Sequence, residues 1–134
     1  MQTVDKNQIR IWVVNSSVDE TEHLINNLLS INPNIKVRDF LSYKEAFGVI
    51  RNLDRNDLPT IIFSSCTFPG EGNAVDFLSL FNDYYLNIQS DFHIIANNYS
   101  VKNMDKVLDN KMVKGWLNKN PSIEALKEIV SKKL

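Results

Sequence analysis

Apolar residues in this chain gather in short runs, and each run is followed by a segment with a helical repeat. The runs are rich in β-branched and aromatic side chains, which predicts five strands, at residues 9–14, 35–40, 61–63, 92–96 and 113–117. After each of them, apolar side chains recur three or four residues apart, which predicts five helices. Strands that alternate with helices in short units favour a parallel sheet with right-handed crossovers. The pattern therefore predicts an α/β fold, a doubly wound five-stranded parallel sheet in a single domain over residues 1–134.

Serine residues mark the starts of four of the predicted helices. Two of these serines have a glutamate three residues later, as Ser17 has Glu20, which is the spacing of a capping box. The remaining helix is predicted at about residues 74–85. The four serines are Ser17, Ser42, Ser100 and Ser122.

The rest of the chain is predicted to be arranged around residues 61–72. This segment begins with an unbroken apolar run, which is typical of a central parallel strand that helices cover on both faces. Two serines follow, and then Pro69 and Gly70, which predict a turn just beyond the carboxyl end of the strand. Because ligand sites of open α/β sheets are built at that end of the strands, we expect any functional site here.

Composition excludes several classes of function. A formal net charge of −1 gives no long-range attraction for nucleic acid or for acidic membranes. No apolar run approaches the ~20 residues of a membrane span, and the polar amino terminus lacks the pattern of a signal peptide. The single cysteine, Cys66, excludes an intrachain disulfide and fits a reducing compartment, so we expect a cytoplasmic location.

Catalytic and metal-binding patterns are missing as well. A catalytic thiol needs a base within hydrogen-bond reach, and nothing in the sequence places a histidine beside Cys66. His93 falls at the start of the fourth predicted strand, opposite the site end, and His23 falls in the first helix. Two histidines and one cysteine give no zinc spacing. We therefore predict no catalytic residue, no metal and no enzymatic activity.

The order of strand, short polar group, Pro-Gly turn and amphipathic helix resembles the phospho-acceptor segment of response-regulator receiver domains, the CheY-like superfamily. The resemblance extends from Ile9 to about Val130, and it implies the strand order 2-1-3-4-5. Receivers carry the acceptor aspartate four residues before the proline, where this chain has Ser65. Their acidic pair after the first strand corresponds to Asn15 and Ser16.

Two further receiver positions fall after the last two strands. The threonine or serine that receivers carry after the fourth strand corresponds to Asn97. Their lysine after the fifth strand is present as Lys119, with Asn120 where proline is usual. Three residues before that lysine the family places an aromatic switch residue, which corresponds to Trp116.

The resemblance also indicates which chemistry is missing. Receivers form an acyl phosphate on a carboxylate, and Mg²⁺ is held there by charged oxygen ligands. Asn15, Ser16 and Ser65 offer only neutral oxygens, and a serine cannot form an acyl phosphate. We therefore predict a degenerate receiver, without metal or cofactor, that signals by protein contact and not by aspartyl phosphorylation.

The resemblance further implies where a partner binds. The expected surface consists of the helix predicted at residues 100–108, the strand at residues 113–117 and the last helix, with Trp116 as its anchor. The expected partner is a histidine kinase, another signalling protein or a second copy of the chain.

Two alternatives stay open at this stage. The same sheet order is found in flavodoxin-like proteins that bind flavin mononucleotide, but the segment after the first strand has hydroxyls and no glycine, and Asp19 and Glu20 would repel a phosphate. The second alternative is a phosphorylated receiver with a non-standard acceptor, in which a carboxylate such as Asp19 or Glu71 occupies the pocket. In either case Lys119 is the residue available to neutralise an anion.

Overall fold

A computed structural model of the chain describes residues 9–54, 57–70, 72–84, 90–96 and 109–133. Asn97 and the helix predicted at residues 100–108 lie outside the described residues. Within them, the elements in chain order are β1 (Arg10–Val14), α1 (Val18–Ile31), β2 (Lys36–Phe40), α2 (Tyr43–Ile50), β3 (Ile61–Ser65), β4 (Thr67–Phe68), β5 (Gly72–Asn73), α3 (Ala74–Tyr84), β6 (Asp91–Ile95), β7 (Val113–Leu117) and α4 (Ile123–Ser131).

Five of these strands form one parallel sheet in the order β2-β1-β3-β6-β7. Numbered along the chain within this sheet alone, the order is 2-1-3-4-5, which confirms the predicted fold class and the central place of β3. Because all five strands are parallel, their carboxyl ends lie at the same edge of the sheet. The polar residues that follow β1, β3 and β7 are therefore brought to one edge.

The core lies on both faces of the sheet. Alternate residues of β3 point to opposite faces, since Ile61 and Phe63 join one buried cluster and Ile62 joins the other. Leu28 of α1 and Leu126 of α4 pack in the cluster that contains Phe63, while α2 and α3 cover the other face. Burial on both faces accounts for the unbroken apolar run at the start of β3.

Serine caps start the helices as the capping-box spacing predicts. The hydroxyl oxygen of Ser17 accepts a hydrogen bond from the backbone N–H of Glu20 at 3.3 Å. The Ser42 hydroxyl accepts one from the N–H of Glu45 at 3.1 Å, and the Ser122 hydroxyl accepts one at 3.2 Å. Ser100 is not among the described residues.

A two-stranded antiparallel hairpin, which the sequence pattern did not predict, lies between β3 and α3. Its strands are β4 and β5, and Pro69 and Gly70 form the turn between them. Gly70 has a φ of 79°, a conformation that glycine adopts without steric cost. The Tyr43 ring lies 5.3 Å from the ring of Phe68, between centroids, so the hairpin packs against the start of α2.

In the described part of the chain, the helices are too short or too polar to cross a bilayer.

Candidate functional site

A cleft of about 360 Å³ lies at the carboxyl edge of the sheet. It contains three of the positions that the receiver resemblance singled out, Asn15, Ser16 and Ser65. The first two follow β1, and Ser65 ends the neighbouring strand β3, which explains why residues fifty positions apart in the chain meet here. The full lining consists of Asn15, Ser16, Ser17, Glu20, Ser65, Cys66, Thr67, Pro69, Ile95 and Ala96.

Asn15 uses its side chain to shape the backbone between β1 and α1. It is 5% exposed, and its Oδ1 accepts a hydrogen bond from the backbone N–H of Ser17 at 2.9 Å. Its own backbone N–H donates to the carbonyl of Phe40 at 2.9 Å. An asparagine that bonds the backbone two residues on forms an Asx turn. The amide oxygen of Asn15 is therefore already engaged in the loop that leads into α1.

Ser65 also bonds within its own loop. Its hydroxyl donates to the carbonyl of Thr67 at 2.9 Å, and the buried Ser64 hydroxyl donates to the carbonyl of Ser65 at 2.9 Å. These two bonds hold the chain as it leaves β3 and enters the β4–β5 hairpin. The Ser65 side chain is half-buried at the edge of the cleft.

Among the described residues that line the cleft, Glu20 is the one carboxylate, and sequence reasoning assigned it to a capping box. In a full capping box the glutamate side chain accepts a hydrogen bond from the backbone N–H of the capping serine. Here Asn15 bonds that N–H of Ser17, and the Glu20 carboxylate lies 3.8 Å from the Lys119 Nζ instead. The signal that could have revealed this is Asn15 itself, since an asparagine two residues before a cap competes for the same N–H.

Lys119 lies at the rim of this cleft. It follows β7, its side chain is 46% exposed, and its described ion-pair partner is Glu20, which is 25% exposed. Asn120, the next residue, has a φ of 55°. Proline, which receivers usually carry at this position, is locked near −65° and could not adopt that conformation. The loop after β7 therefore differs in backbone conformation from what a proline would allow.

Two other carboxylates were considered from the sequence, and the structure describes only one of them. Asp19 is absent from the lining, and Glu71 lies outside the described residues. Among the residues that the structure describes, no group of three or more histidine, cysteine, aspartate or glutamate side chains is placed to hold a metal ion.

Cys66 lies in the wall of the cleft as a buried thiol. It is 3% exposed, and burial raises its pKa, which disfavours the reactive thiolate. The sequence analysis put His93 at the start of its strand. In the structure it is the third of the five residues of β6, because the strand begins at Asp91. Its ring packs 5.6 Å from the ring of Phe63 in the core, so it is not available as a base for Cys66.

Trp116 is half-buried on β7, the edge strand of the sheet. It pairs in register with Ile94 and packs against the cluster beneath α2 and α3. The helix predicted at residues 100–108, which completes the expected partner surface, lies outside the described residues. The structure therefore gives Trp116 a packing role, and its role as a switch or an anchor stays a prediction.

No family model matches the sequence, and no curated protein matches it. Solved structures do match the fold. A two-component response regulator from Cytophaga hutchinsonii has a TM-score of 0.80 at 14% sequence identity, covering 92% of this chain and 95% of that one. A response regulator receiver protein from Dyadobacter fermentans has a TM-score of 0.77 at 18% identity, covering 93% and 97%. For the chemotaxis response regulator CheY4 of Vibrio cholerae the TM-score is 0.72 at 15% identity, covering 95% and 99%.

At these identities the likeness concerns the fold. The chain has the fold of response-regulator receiver domains over more than nine-tenths of its length.

Proposed function

We propose that this chain is a degenerate receiver, which signals by contact with another protein and does not accept phosphate on an aspartate. The fold is that of receiver domains. The cleft is at the carboxyl edge of the sheet, where the resemblance puts the acceptor site, which supports the proposal. The observation that carries the proposal is the set of side chains at that cleft. Neutral oxygens of Asn15, Ser16 and Ser65 line it, and the one carboxylate among its described residues, Glu20, is 3.8 Å from the Lys119 ammonium.

Magnesium would find weak ligands in this arrangement. Mg²⁺ surrenders its water reluctantly and is held by carboxylates in octahedral geometry. Glu20 alone supplies a charged oxygen, and Lys119 beside it would repel a divalent cation. Without the metal, the charge that develops on a transferred phosphoryl group has little to stabilise it.

The same ion pair disfavours the flavin alternative. A phosphate group in the cleft would lie near the Glu20 carboxylate, and the loop after β1 contains no glycine to bring backbone N–H groups close to it. Flavin would be detected by its yellow colour, and we expect the purified protein to be colourless.

The test exposes the purified protein to acetyl phosphate with millimolar magnesium and follows intact mass and melting temperature. We expect no phosphoryl adduct, no hydroxylamine-sensitive phosphate and no stabilisation by magnesium. The matched variant carries Asn15→Asp, Ser16→Asp and Ser65→Asp, which restores the receiver carboxylates. It should melt at a higher temperature when magnesium is added, because a ligand that binds the folded state stabilises it by mass action.

Two outcomes would count against the proposal. An acyl phosphate on the unaltered protein would show that a carboxylate of this chain serves as the acceptor, and Glu20→Gln would then test the one in the cleft. A triple variant that folds but ignores magnesium would show that the cleft lacks receiver geometry.

We assign partner binding, under this proposal, to the surface around Trp116. The half-buried indole on an edge strand has the chemistry of an interface anchor, since large aromatic side chains often dominate binding energy. The partner is a histidine kinase, another signalling protein or a second copy of the chain.

A further inference from the structure

A second groove lies at the other end of the sheet from the cleft, where β1 and β2 begin. Its volume is about 360 Å³, and part of its lining, Leu53 and Asp57, comes from the segment that follows α2. None of its residues lines the cleft at the carboxyl edge. The residues that matter for its chemistry are Arg10, Trp12, Lys36, Arg38, Leu53 and Asp57.

Three cations share one face of the sheet at this groove. Arg10 pairs in register with Lys36, and Trp12 pairs with Arg38. Because paired residues and residues two apart on a strand project to the same face, the cations are neighbours. Like charges side by side across two strands are destabilising. The repulsion among these three cations therefore costs folding free energy, and the strand pairing itself gives no reason for placing them together.

Carboxylates balance this charge only in part. An Arg10 guanidinium nitrogen lies 3.8 Å from an Asp57 oxygen. For Lys36 and Arg38, no carboxylate of the described residues lies within 4.0 Å. The whole chain has a net charge of −1, so this positive cluster does not follow from a generally basic composition. An anion bound here would supply the missing partner.

The groove also has an apolar side and one cation held in place. Trp12 is 3% exposed, and Leu53 packs against the same cluster. The Arg38 guanidinium carbon lies 5.2 Å from the centre of the Phe40 ring, a cation–π contact that orients its fork of donors. A guanidinium fork matches phosphate oxygens in a bidentate way.

We propose that this groove binds a small phosphate ester that carries an apolar ring system, the chemistry of a nucleotide. Lys36 and Arg38 bind the phosphates, and the ring system packs against the half-buried Leu53, beside the narrow exposed edge of Trp12. The volume falls within the range of small-molecule sites. The inference is independent of the proposed function, because it concerns the opposite end of the sheet.

The test uses tryptophan fluorescence in a Trp116→Phe background, where Trp12 is the only tryptophan. ADP is titrated at low salt, with pyrophosphate and adenosine as separate probes. We expect a saturable change with ADP, weaker binding of pyrophosphate and adenosine, and weaker ADP binding at high salt. Lys36→Gln combined with Arg38→Gln should weaken ADP binding roughly tenfold or more, since bonds to charged groups are strong.

The control variant combines Lys44→Gln with Lys127→Gln, which removes two exposed positive charges outside the groove. It should leave ADP affinity within about twofold, since neither lysine lines the groove. Arg38→Lys keeps the charge but loses the fork, so its affinity should fall between those of the unaltered protein and the double variant.

Several results would overturn the proposal. The first is the absence of a saturable response to ADP. The second is an affinity for pyrophosphate or for adenosine that equals the affinity for ADP. The third is an equal loss of ADP affinity in the Lys36/Arg38 variant and in the Lys44/Lys127 control. A loss of ADP binding on Lys119→Gln would place the ligand in the cleft at the carboxyl edge instead.

Discussion

The Glu20 carboxylate and the Lys119 ammonium lie 3.8 Å apart at the rim of the cleft, and they connect the first turn of α1 to the loop after β7. Lys119 thus has a partner within the chain beside the cleft that Asn15, Ser16 and Ser65 line. A lysine that is already paired has less to gain from an incoming anion. The ion pair therefore favours one arrangement of the cleft in the absence of any ligand.

The first prediction concerns this ion pair. A double-mutant cycle with Glu20→Gln and Lys119→Gln should give a coupling of about 0.2–1 kcal/mol that decreases with added salt, because both side chains are partly exposed. The matched cycle uses Glu128 and Lys132, which are 3.9 Å apart and 74% exposed. It should give a smaller coupling. Equal couplings measured by urea unfolding would mean that the cleft adds nothing to the pair.

The second prediction concerns the Asx turn of Asn15. Asn15→Ala should cost about 1 kcal/mol of unfolding free energy, since the Ser17 N–H loses its acceptor in a partly buried loop. Asn32, whose Oδ1 accepts from the Asn34 N–H at 2.9 Å in an exposed turn, is the control, and Asn32→Ala should cost less because water replaces the lost bond. Urea unfolding would measure both, and a larger loss for the exposed turn would contradict the assignment.

The third prediction compares two glycines that both have open space around them. An added Cβ would meet no atom within 4 Å at either Gly70 or Gly48, so a substitution tests backbone conformation alone. Gly70→Ala should destabilise by roughly 1 kcal/mol because φ is 79° there. Gly48→Ala should stabilise by about 0.5–1 kcal/mol, since Gly48 lies inside α2. Thermal unfolding would measure both variants, and stability changes of the same sign would contradict the prediction.

The fourth prediction is a pH dependence caused by His93. Burial lowers the pKa of His93 below its usual 6.5; Asp91 opposes this shift, and Lys132 and Lys133 add to it. The unfolded chain then takes up the proton first as the pH falls, so the stability that the neutral ring contributes is present above pH 6.5 and is lost below it.

One such proton changes the unfolding free energy by at most about 1.4 kcal/mol per pH unit. The measurement is urea unfolding between pH 7.5 and pH 5.5, a range of roughly one unit on either side of the usual histidine pKa. The His93→Gln protein should show a shallower dependence than the unaltered protein. Identical slopes would rule out His93 as the cause.

The fifth prediction concerns the proposed partner surface. Trp116→Ala should weaken association with the partner, or self-association, by about 2 kcal/mol or more, as expected for an aromatic anchor. Because Trp116 also packs against the core, circular dichroism must show that the variant folds. Trp116→Phe, which keeps an aromatic ring, should retain more of the affinity. Unchanged association in a folded Trp116→Ala protein would move the interface elsewhere.

The fold could be predicted because its signals are local. The apolar runs of β1 and β3, and the serine caps at Ser17 and Ser42, act over a few residues each. The ion pair of Glu20 with Lys119 could not be predicted in this way, since it depends on two other features. Asn15 occupies the Ser17 N–H that a capping glutamate would bond, and the loop after β7 lies close to the first turn of α1. The β4–β5 hairpin escaped prediction because its strands of two residues are too short to show alternation.

The packing of α4 against α1 has a consequence for synthesis of the chain. The apolar face of α1, with Leu24 and Leu28, is covered by Leu126 and Val130, which are made about a hundred residues later. A chain whose synthesis has not yet reached α4 therefore presents this face to its surroundings. Such exposed surface is what molecular chaperones bind and what drives aggregation. Packing of α4 onto α1 covers this face and removes that risk.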